Sequence, residues 1–339
     1  MSELEQLVDD LGRRSFEARL GRRGFPDEFD EALWRNLEET GLSRLTGAED
    51  AGPAEAAIVL AGLAKHAAAV PIAETDLLAT WLAAKAGVTV PEAGPLTVAI
   101  ADAVVSDRRL TGTARDVPWP RSAAVVLAAR TADVLYVAVC DDPSMGDGLN
   151  LAGEPRGTIS FDLPVADAVG LDSQVGDELT RRGAWARCIQ IIGALDSARD
   201  LTVAHTRERE QFGRPLSAFQ AVQHSLAAMA GEIERARAST TLAVAAATDY
   251  GFDSAATDYA VTVAKVAVGR AVHSVTTIAH QLHGAIGVTV EHRLWLATMR
   301  ARSWVDDYGS TAHHARRLGR MALCAEDPWD FVVSCPAPR

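Results

Sequence analysis

The sequence predicts a multidomain α and β protein: an N-terminal helical domain, a middle antiparallel β-domain and a C-terminal four-helix bundle. Three observations carry that expectation. Residues up to about 90 read as helices, a block of short β-prone runs follows, and long periodic helical text returns from about Asp177. The implied boundaries are 1–92, 93–173 and 174–325, with 326–339 as a poorly ordered tail.

In the first block Phe29, Leu33 and Leu37 recur at four-residue spacing beside Trp34, before a break at Gly41. Ala- and Leu-rich text from Glu55 to Lys65 and from Glu74 to Ala86 has strong helix propensity. Gly47 to Pro53 is a loop by its Gly and Pro content. In the second block Leu96–Ile100, Val125–Ala129, Val134–Val139 and Thr158–Phe161 are β-prone and split by Asp, Gly and Pro, and Arg108–Thr113 reads as a hairpin edge. The third block carries three apolar stripes: Trp185, Ile189, Ile192, Leu195; Phe219, Val222, Leu226, Met229, Ile233; and Ala260, Val263, Ala267, Ala271, Val275, Ile278, Leu282. Repeats near 3.5 residues over such lengths are those of long helices packed in a bundle.

Composition limits the function. A length of 339 residues is long for one core, and 48% hydrophobic with 23% charged residues describes a globular chain. A formal net charge of −12 argues against non-specific nucleic-acid binding, though a few arginines can still hold an anionic ligand. Cys140, Cys188, Cys324 and Cys335 lack CxxC spacing and read as reduced, structural thiols of a cytoplasmic protein. The stretch Met1 to Asp10 lacks the layout of a signal peptide, and no apolar run reaches the ~18 residues a bilayer span needs. No P-loop, GxGxxG or GxSxG element is present.

One stretch concentrates chemistry. The charged helical run through Arg207 to Gln211 is expected to stop at Gly213, turn through Pro215 and restart as an amphipathic helix. Arg209 in an Arg-Glu-Arg-Glu run is by default a solvated helix face. At a helix end, however, its guanidinium fork suits a pyrophosphate. Ser217-Ala218-Phe219-Gln220 fits the S-x-x-Q capping box, in which Gln220 serves a backbone N–H. Gly284 and Gly287, at the end of the third stripe, allow a C-cap or a close backbone approach. His280 and His283 have no carboxylate or Cys at ligand spacing, so no metal is expected there.

Arg209-Glu210-Gln211-Phe212-Gly213-Arg214-Pro215-Leu216 with Phe219-Gln220, and Gln281-Leu282-His283-Gly284-Ala285-Ile286-Gly287, resemble the signatures of the acyl-CoA dehydrogenases. Weaker likeness extends through Gly41-Leu42, Glu49-Asp50-Ala51-Gly52, Leu110-Thr111-Gly112-Thr113 and Thr158-Ile159-Ser160-Phe161-Asp162, covering nearly the whole chain in order. The resemblance implies a FAD-dependent α,β-dehydrogenation of an acyl-CoA, with electrons passed to an acceptor such as electron-transfer flavoprotein. It implies that Arg209 reaches the FAD pyrophosphate of a neighbouring homologous subunit. By the same resemblance Gln211, Phe212, Phe219 and Gln220 belong to the FAD site, and Gln281, Gly284 and Ala285 contact its ADP part. Ala285 departs from the family's second glycine.

The base departs further. Abstraction of the α-proton needs a carboxylate in a dry cleft. By family resemblance it stands 27 residues after Gln281, here Tyr308, or 26 before Arg209, here Gly183. Neither is a carboxylate, and a one-residue shift makes Asp307 the candidate, with a bland helix-end role as the competing reading. Where the family carries a Glu-Pro-Gly-x-Gly-Ser-Asp-like loop against the flavin, this chain has Ala101-Asp102-Ala103 and Ser106-Asp107; Trp119 either covers the flavin or is a core aromatic. The shortness and degraded motifs resemble small actinobacterial members that pair as α2β2 heterotetramers on steroid-derived or other bulky acyl-CoAs. Three functions stay open: a dehydrogenase in its own right, a non-catalytic partner that completes another chain's FAD site, or a flavin oxidase or monooxygenase on the same fold.

Overall fold

The computed structural model describes residues 2–20, 25–48, 50–140 and 143–334. Glu49 of the loop, Cys335 and the end of the tail lie outside the described residues. Two compact units emerge: Met1–Gly12 with Ala57–Ala67 and Ala184–Arg339, and Arg13–Ala56 with Ala68–Gly183.

The second unit centres on a sheet of seven strands in the order β5-β6-β2-β1-β3-β4-β7. These are β1 (Leu96–Ser106), β2 (Arg109–Pro118), β3 (Ala124–Arg130), β4 (Val134–Cys140), β5 (Ser144–Gly146), β6 (Arg156–Pro164) and β7 (Val169–Asp172). The sheet is mixed, which corrects the antiparallel expectation: β1 and β3 run parallel from Leu96↔Ala124 to Asp102↔Arg130. β1 serves two ladders in turn, since its end, Ala103 to Ser106, pairs antiparallel with β2. Its apolar run Leu96 to Ile100 is the kind that a strand needs when both neighbours cover it. Small residues fill the core, with Ala99, Ala101, Ala114, Ala129 and Ala138 around Leu110, Leu127, Ile159 and Phe161.

Helices flank the sheet in sequence. α1 (Glu3–Ala18) carries residues of both units, and α2 (Glu31–Glu39) starts where Asp30 accepts the Leu33 N–H at 2.9 Å. Leu33, Trp34 and Leu37 are buried as their spacing predicts. α3 spans Pro53–Lys65, and a π-helical stretch, Glu74–Thr80, leads into α4 (Trp81–Ala86).

The first unit is built on three long helices: α5 (Ser173–Glu208), which begins in the other unit, α6 (Gln220–Tyr250) and α7 (Ala255–His283). The predicted α5 stripe is buried along Trp185, Ile189, Ile192 and Leu195. The Trp185 indole donates to the Ala243 carbonyl of α6 at 3.1 Å and meets Phe252 edge-on at 5.3 Å. α8 (Arg293–Trp304) and α9 (Thr311–Cys324) follow, and the expected tail contains a further helix, α10 (Pro328–Ser334), whose Phe331 packs on Tyr259. No helix among the described residues is long and apolar enough to cross a membrane.

Candidate functional site

The Arg209 turn differs in form from its sequence reading. α5 ends at Glu208, five residues before Gly213, and the link to α6 is a miniature β-hairpin rather than a bare helical turn. β8 (Glu210–Gln211) pairs with β9 (Arg214–Pro215), and Phe212 (φ 53°) and Gly213 (φ 78°) form its two-residue tip. Both tip residues in the left-handed region is the geometry of the tightest hairpins. The Arg209 N–H still donates to the His205 carbonyl at 2.8 Å, and the Arg209 carbonyl accepts from Leu216 at 2.8 Å. Arg209 is therefore held by its backbone at a helix end while its side chain stands in solvent.

Around it the hairpin gathers an exposed aromatic surface. Phe212 is 92% exposed, at the cost of a φ that non-glycine residues rarely adopt. Phe219 meets it edge-on at 6.2 Å, and the Arg214 guanidinium lies 4.1 Å over the Phe219 ring. Gln211 and Gln220 are exposed beside them. The capping box does not form: α6 begins at Gln220 with Phe219 as its cap and no side-chain cap bond, because Ser217 is taken into a preceding 3-10 turn, Leu216–Ala218. Gln223 donates to the Ser217 carbonyl at 2.9 Å.

The second motif closes α7. Gly284 ends the helix at φ 65° with open space where a Cβ would stand, and Gln281, Gly284 and Ala285 are all exposed. Two imidazoles join this segment to the first: the rings of His205 and His283 stack at 4.4 Å and 19°. His280, read earlier for metal, shares a hydrogen bond of 2.9 Å with the Thr298 hydroxyl.

The candidate base lies in the turn between α8 and α9. Asp307 Oδ2 accepts from Arg187 Nε at 2.8 Å, and Arg187 Nη1 also donates to Gln190 at 2.5 Å. The guanidinium lies 5.9 Å from the Tyr308 ring centre. Tyr308 (φ 57°) and Gly309 (φ 105°) turn the chain sharply into α9. Lys265 and His314 hold that turn: Lys265 Nζ donates to the Val305 and Asp307 carbonyls at 2.8 and 2.7 Å, and His314 Nε2 donates to the Tyr308 carbonyl at 3.1 Å. Lys265 is buried, which pushes its ammonium below the usual lysine range. The same burial brings His314 down to about 4. Arg187 and Lys265 escaped the sequence reading, where the available signal was a lone charge inside apolar helix text; His314 reads from sequence as part of a charged helix start, His313-His314 with Arg316-Arg317.

In the sheet unit the segment matched to the flavin loop is continuous strand. Ala101, Asp102, Ala103 and Ser106 all belong to β1, and Asp107 (φ 51°) with Arg108 (φ 62°) makes a two-residue turn straight into β2. Trp119 follows a bulge at Asp116, has φ 51° and is 4% exposed, its ring 6.3 Å edge-on from Phe29.

Comparison with known proteins agrees with the two C-terminal motifs. Residues 177–323 match the family model "Acyl-CoA dehydrogenase, C-terminal domain". Over 315 residues, the chain is 30% identical to the acyl-CoA dehydrogenase IpdE2 of Mycolicibacterium smegmatis, covering 90% of each. The chain belongs to the acyl-CoA dehydrogenase family. Among solved structures, the ChsE4–ChsE5 complex from Mycobacterium tuberculosis shares the fold at a TM-score of 0.82 and 24% identity, over 96% of this chain and 98% of that one. A variant of the Tcur3481–Tcur3483 steroid ACAD matches at 0.79 and 25%, over 94% and 97%. The family relation supports an oxidoreductase acting on an acyl-CoA. At the two positions where the resemblance places the base, this chain has Tyr308 and Gly183.

Proposed function

We propose that this chain is one subunit of a FAD-dependent acyl-CoA dehydrogenase built from two different homologous chains, and that it completes the FAD site of its partner. The observation that carries this reading is the contrast between its two halves of a site. The Arg209 hairpin is presented outward with Phe212 92% exposed, whereas Asp307 is committed to a buried arginine.

The residues present fit one end of FAD. Arg209 offers a forked cation for the diphosphate, Phe212 and Phe219 offer an apolar wall, Gln211 and Gln220 offer amides, and Gln281, Gly284 and Ala285 offer an open edge for the ADP part. The β-unit does not fit the ring end, because a two-residue turn leaves no loop between β1 and β2, and Trp119 is already packed on Phe29. Bound FAD supplies the acceptor for the hydride leaving the β-carbon of the acyl chain. The α-proton goes to a carboxylate of the partner, since the Asp307 carboxylate is engaged by the Arg187 guanidinium. The substrate class is a CoA thioester with a bulky, steroid-derived or similar acyl group, in line with the steroid ACAD whose fold this chain shares. The assembly is an α2β2 heterotetramer in the cytoplasm, passing electrons to an acceptor such as electron-transfer flavoprotein.

The test is flavin absorbance of the purified chain, alone and co-expressed with its homologous partner. A colourless chain alone and a yellow complex are expected, and Arg209→Gln should weaken FAD retention about 10- to 100-fold by removing a charge-assisted pair. A complex that takes up no FAD sinks the proposal. Flavin in the lone chain, with turnover lost in Asp307→Asn, would return the base to this chain. Oxygen consumption without an added acceptor would favour an oxidase.

A further inference from the structure

Three histidines meet where the two ligand-facing motifs end, and no step of the proposed chemistry uses them. His205 lies one helical turn before Arg209 on α5 and accepts the Arg209 N–H through its own carbonyl at 2.8 Å. Its ring lies flat on that of His283, the last residue of α7 and the one directly before Gly284. On another side His292 approaches the His283 ring at 5.2 Å and 69°. His292 caps α8, accepting the Leu294 N–H on Nδ1 at 3.1 Å. Gly287 completes the enclosure: a Cβ there would meet the His283 Cβ at 2.7 Å. One side chain, 6% exposed, thus touches the end of α5, the turn after α7 and the start of α8.

The hydrogen bonds fix the tautomers. His283 Nδ1 lies 2.9 Å from the Ala279 carbonyl, so it carries the proton, and Nε2 is a buried lone pair without a partner among the described residues. A phenylalanine would stack as well but would lose the side-chain bond to the Ala279 carbonyl.

We propose that His283, clamped between His205 and His292, is a positioning residue that locks the Arg209 hairpin and the Gln281–Gly287 segment into one ligand-facing surface, and that the clamp holds only while uncharged. This rests in part on the FAD reading, because it names what keeps the two contact motifs in register for one long ligand. The groups facing the clamp are His205 and Glu208 from α5, Arg209 just after it, His280 from α7, and His292 ahead of α8. Only Glu208 among them is anionic. Burial, with these neighbours, holds His283 down to about 4 and keeps His205 and His292 below their ordinary values. Glu208 acts on His205, and the charged neighbours of His283 itself are the other imidazoles, so a proton on Nε2 enters a site without an acceptor among the described residues.

The experiment uses the co-expressed complex and two readouts. Amide hydrogen exchange is followed in segments 205–216 and 281–288 without FAD, and FAD affinity is titrated from neutral pH down to pH 4, near the value that burial sets for His283. His283→Ala should speed exchange in both segments together and weaken FAD about tenfold. His283→Phe should keep the stack at neutral pH, hold FAD affinity within about twofold, and abolish the additional loss on acidification that the native complex undergoes. The proposal is overturned if His283→Ala loosens 281–288 and leaves 205–216 unchanged, or if His283→Phe retains the native acid profile. A complex that never takes up FAD defeats the FAD reading, and the exchange arm still decides the clamp. Should His283→Ala fail to fold, the half-buried His205→Ala asks the same question, with faster exchange in 281–288 expected and unchanged exchange overturning the clamp.

Discussion

Arg187 and Lys265 are buried cations on helices otherwise rich in Ala, Val and Ile, and each is tolerated for a definable reason. Arg187 has the Asp307 carboxylate and the Gln190 amide, and Lys265 has two carbonyls of one turn. Removing one partner of such a pair exposes the full desolvation cost of the other. Asp307→Asn should therefore cost on the order of 3 kcal/mol in a urea unfolding curve. With the base on the partner, as proposed, turnover per bound flavin should be unchanged. A fall of about a hundredfold or more with intact folding would instead assign Asp307 the proton. Lys265→Met should cost about 1–3 kcal/mol by orphaning the Val305 and Asp307 carbonyls. Counting from the two motifs reached Asp307 and Tyr308, but Arg187 was invisible because its carboxylate lies 120 residues away. A lone charge in an apolar helix has no legible partner until the chain is folded. His283 was legible only as a spacing with His280; its stacking partner His205 comes from another helix.

At the scale of elements, hydrophobic period carried the long helices well, because a buried stripe is a property of one segment. It failed at their ends. α5 stops at Glu208 because residues 210–215 find a ladder of their own, a choice made by pairing rather than by propensity. The same limit applies in the sheet: β1, β3, β4 and β6 were legible from their β-prone runs and β2 as a hairpin edge, the short β5 and β7 were not, and the parallel register of β1 and β3 depends on which strands become neighbours. Close approach between helices is equally silent in composition. Gly193 of α5 lies so near α3 that a Cβ would meet the Ala61 carbonyl oxygen at 2.1 Å, a backbone atom that cannot swing aside. Gly193→Ala should therefore force the helices apart and cost about 1–3 kcal/mol or more, read as a lowered urea midpoint. Gly231→Ala, where nothing stands within 4 Å of the added carbon, is the internal control and should be neutral or slightly stabilising.

Across the whole molecule, buried groups of the two units are expected to answer acid in opposite directions. His283 and His314, both in the unit of Ala184–Arg339, are held by burial at about 4, below the ordinary 6.5. Unfolding lets them bind protons that the folded unit refuses, so their contribution is complete above pH 6.5 and is lost as pH falls toward 4. Asp76 in the other unit is the reverse case. Burial raises its carboxyl to about 6 from 3.8, against the hydrogen bonds from the Thr46 N–H and hydroxyl. Its folded form keeps a proton that the unfolded chain releases, so its contribution is complete below pH 3.8 and is lost as pH rises through 6. Hydrogen exchange of the complex between pH 6.5 and 4, corrected for the intrinsic pH dependence of exchange, separates the two. Protection of α7 and α9 should fall on acidification while protection around Thr46 and Glu74–Thr80 rises, and His314→Phe should flatten the first trend without touching the second. Parallel loss in both units would mean that a single cooperative transition governs the chain, with Asp76 too weakly coupled to folding to oppose two histidines.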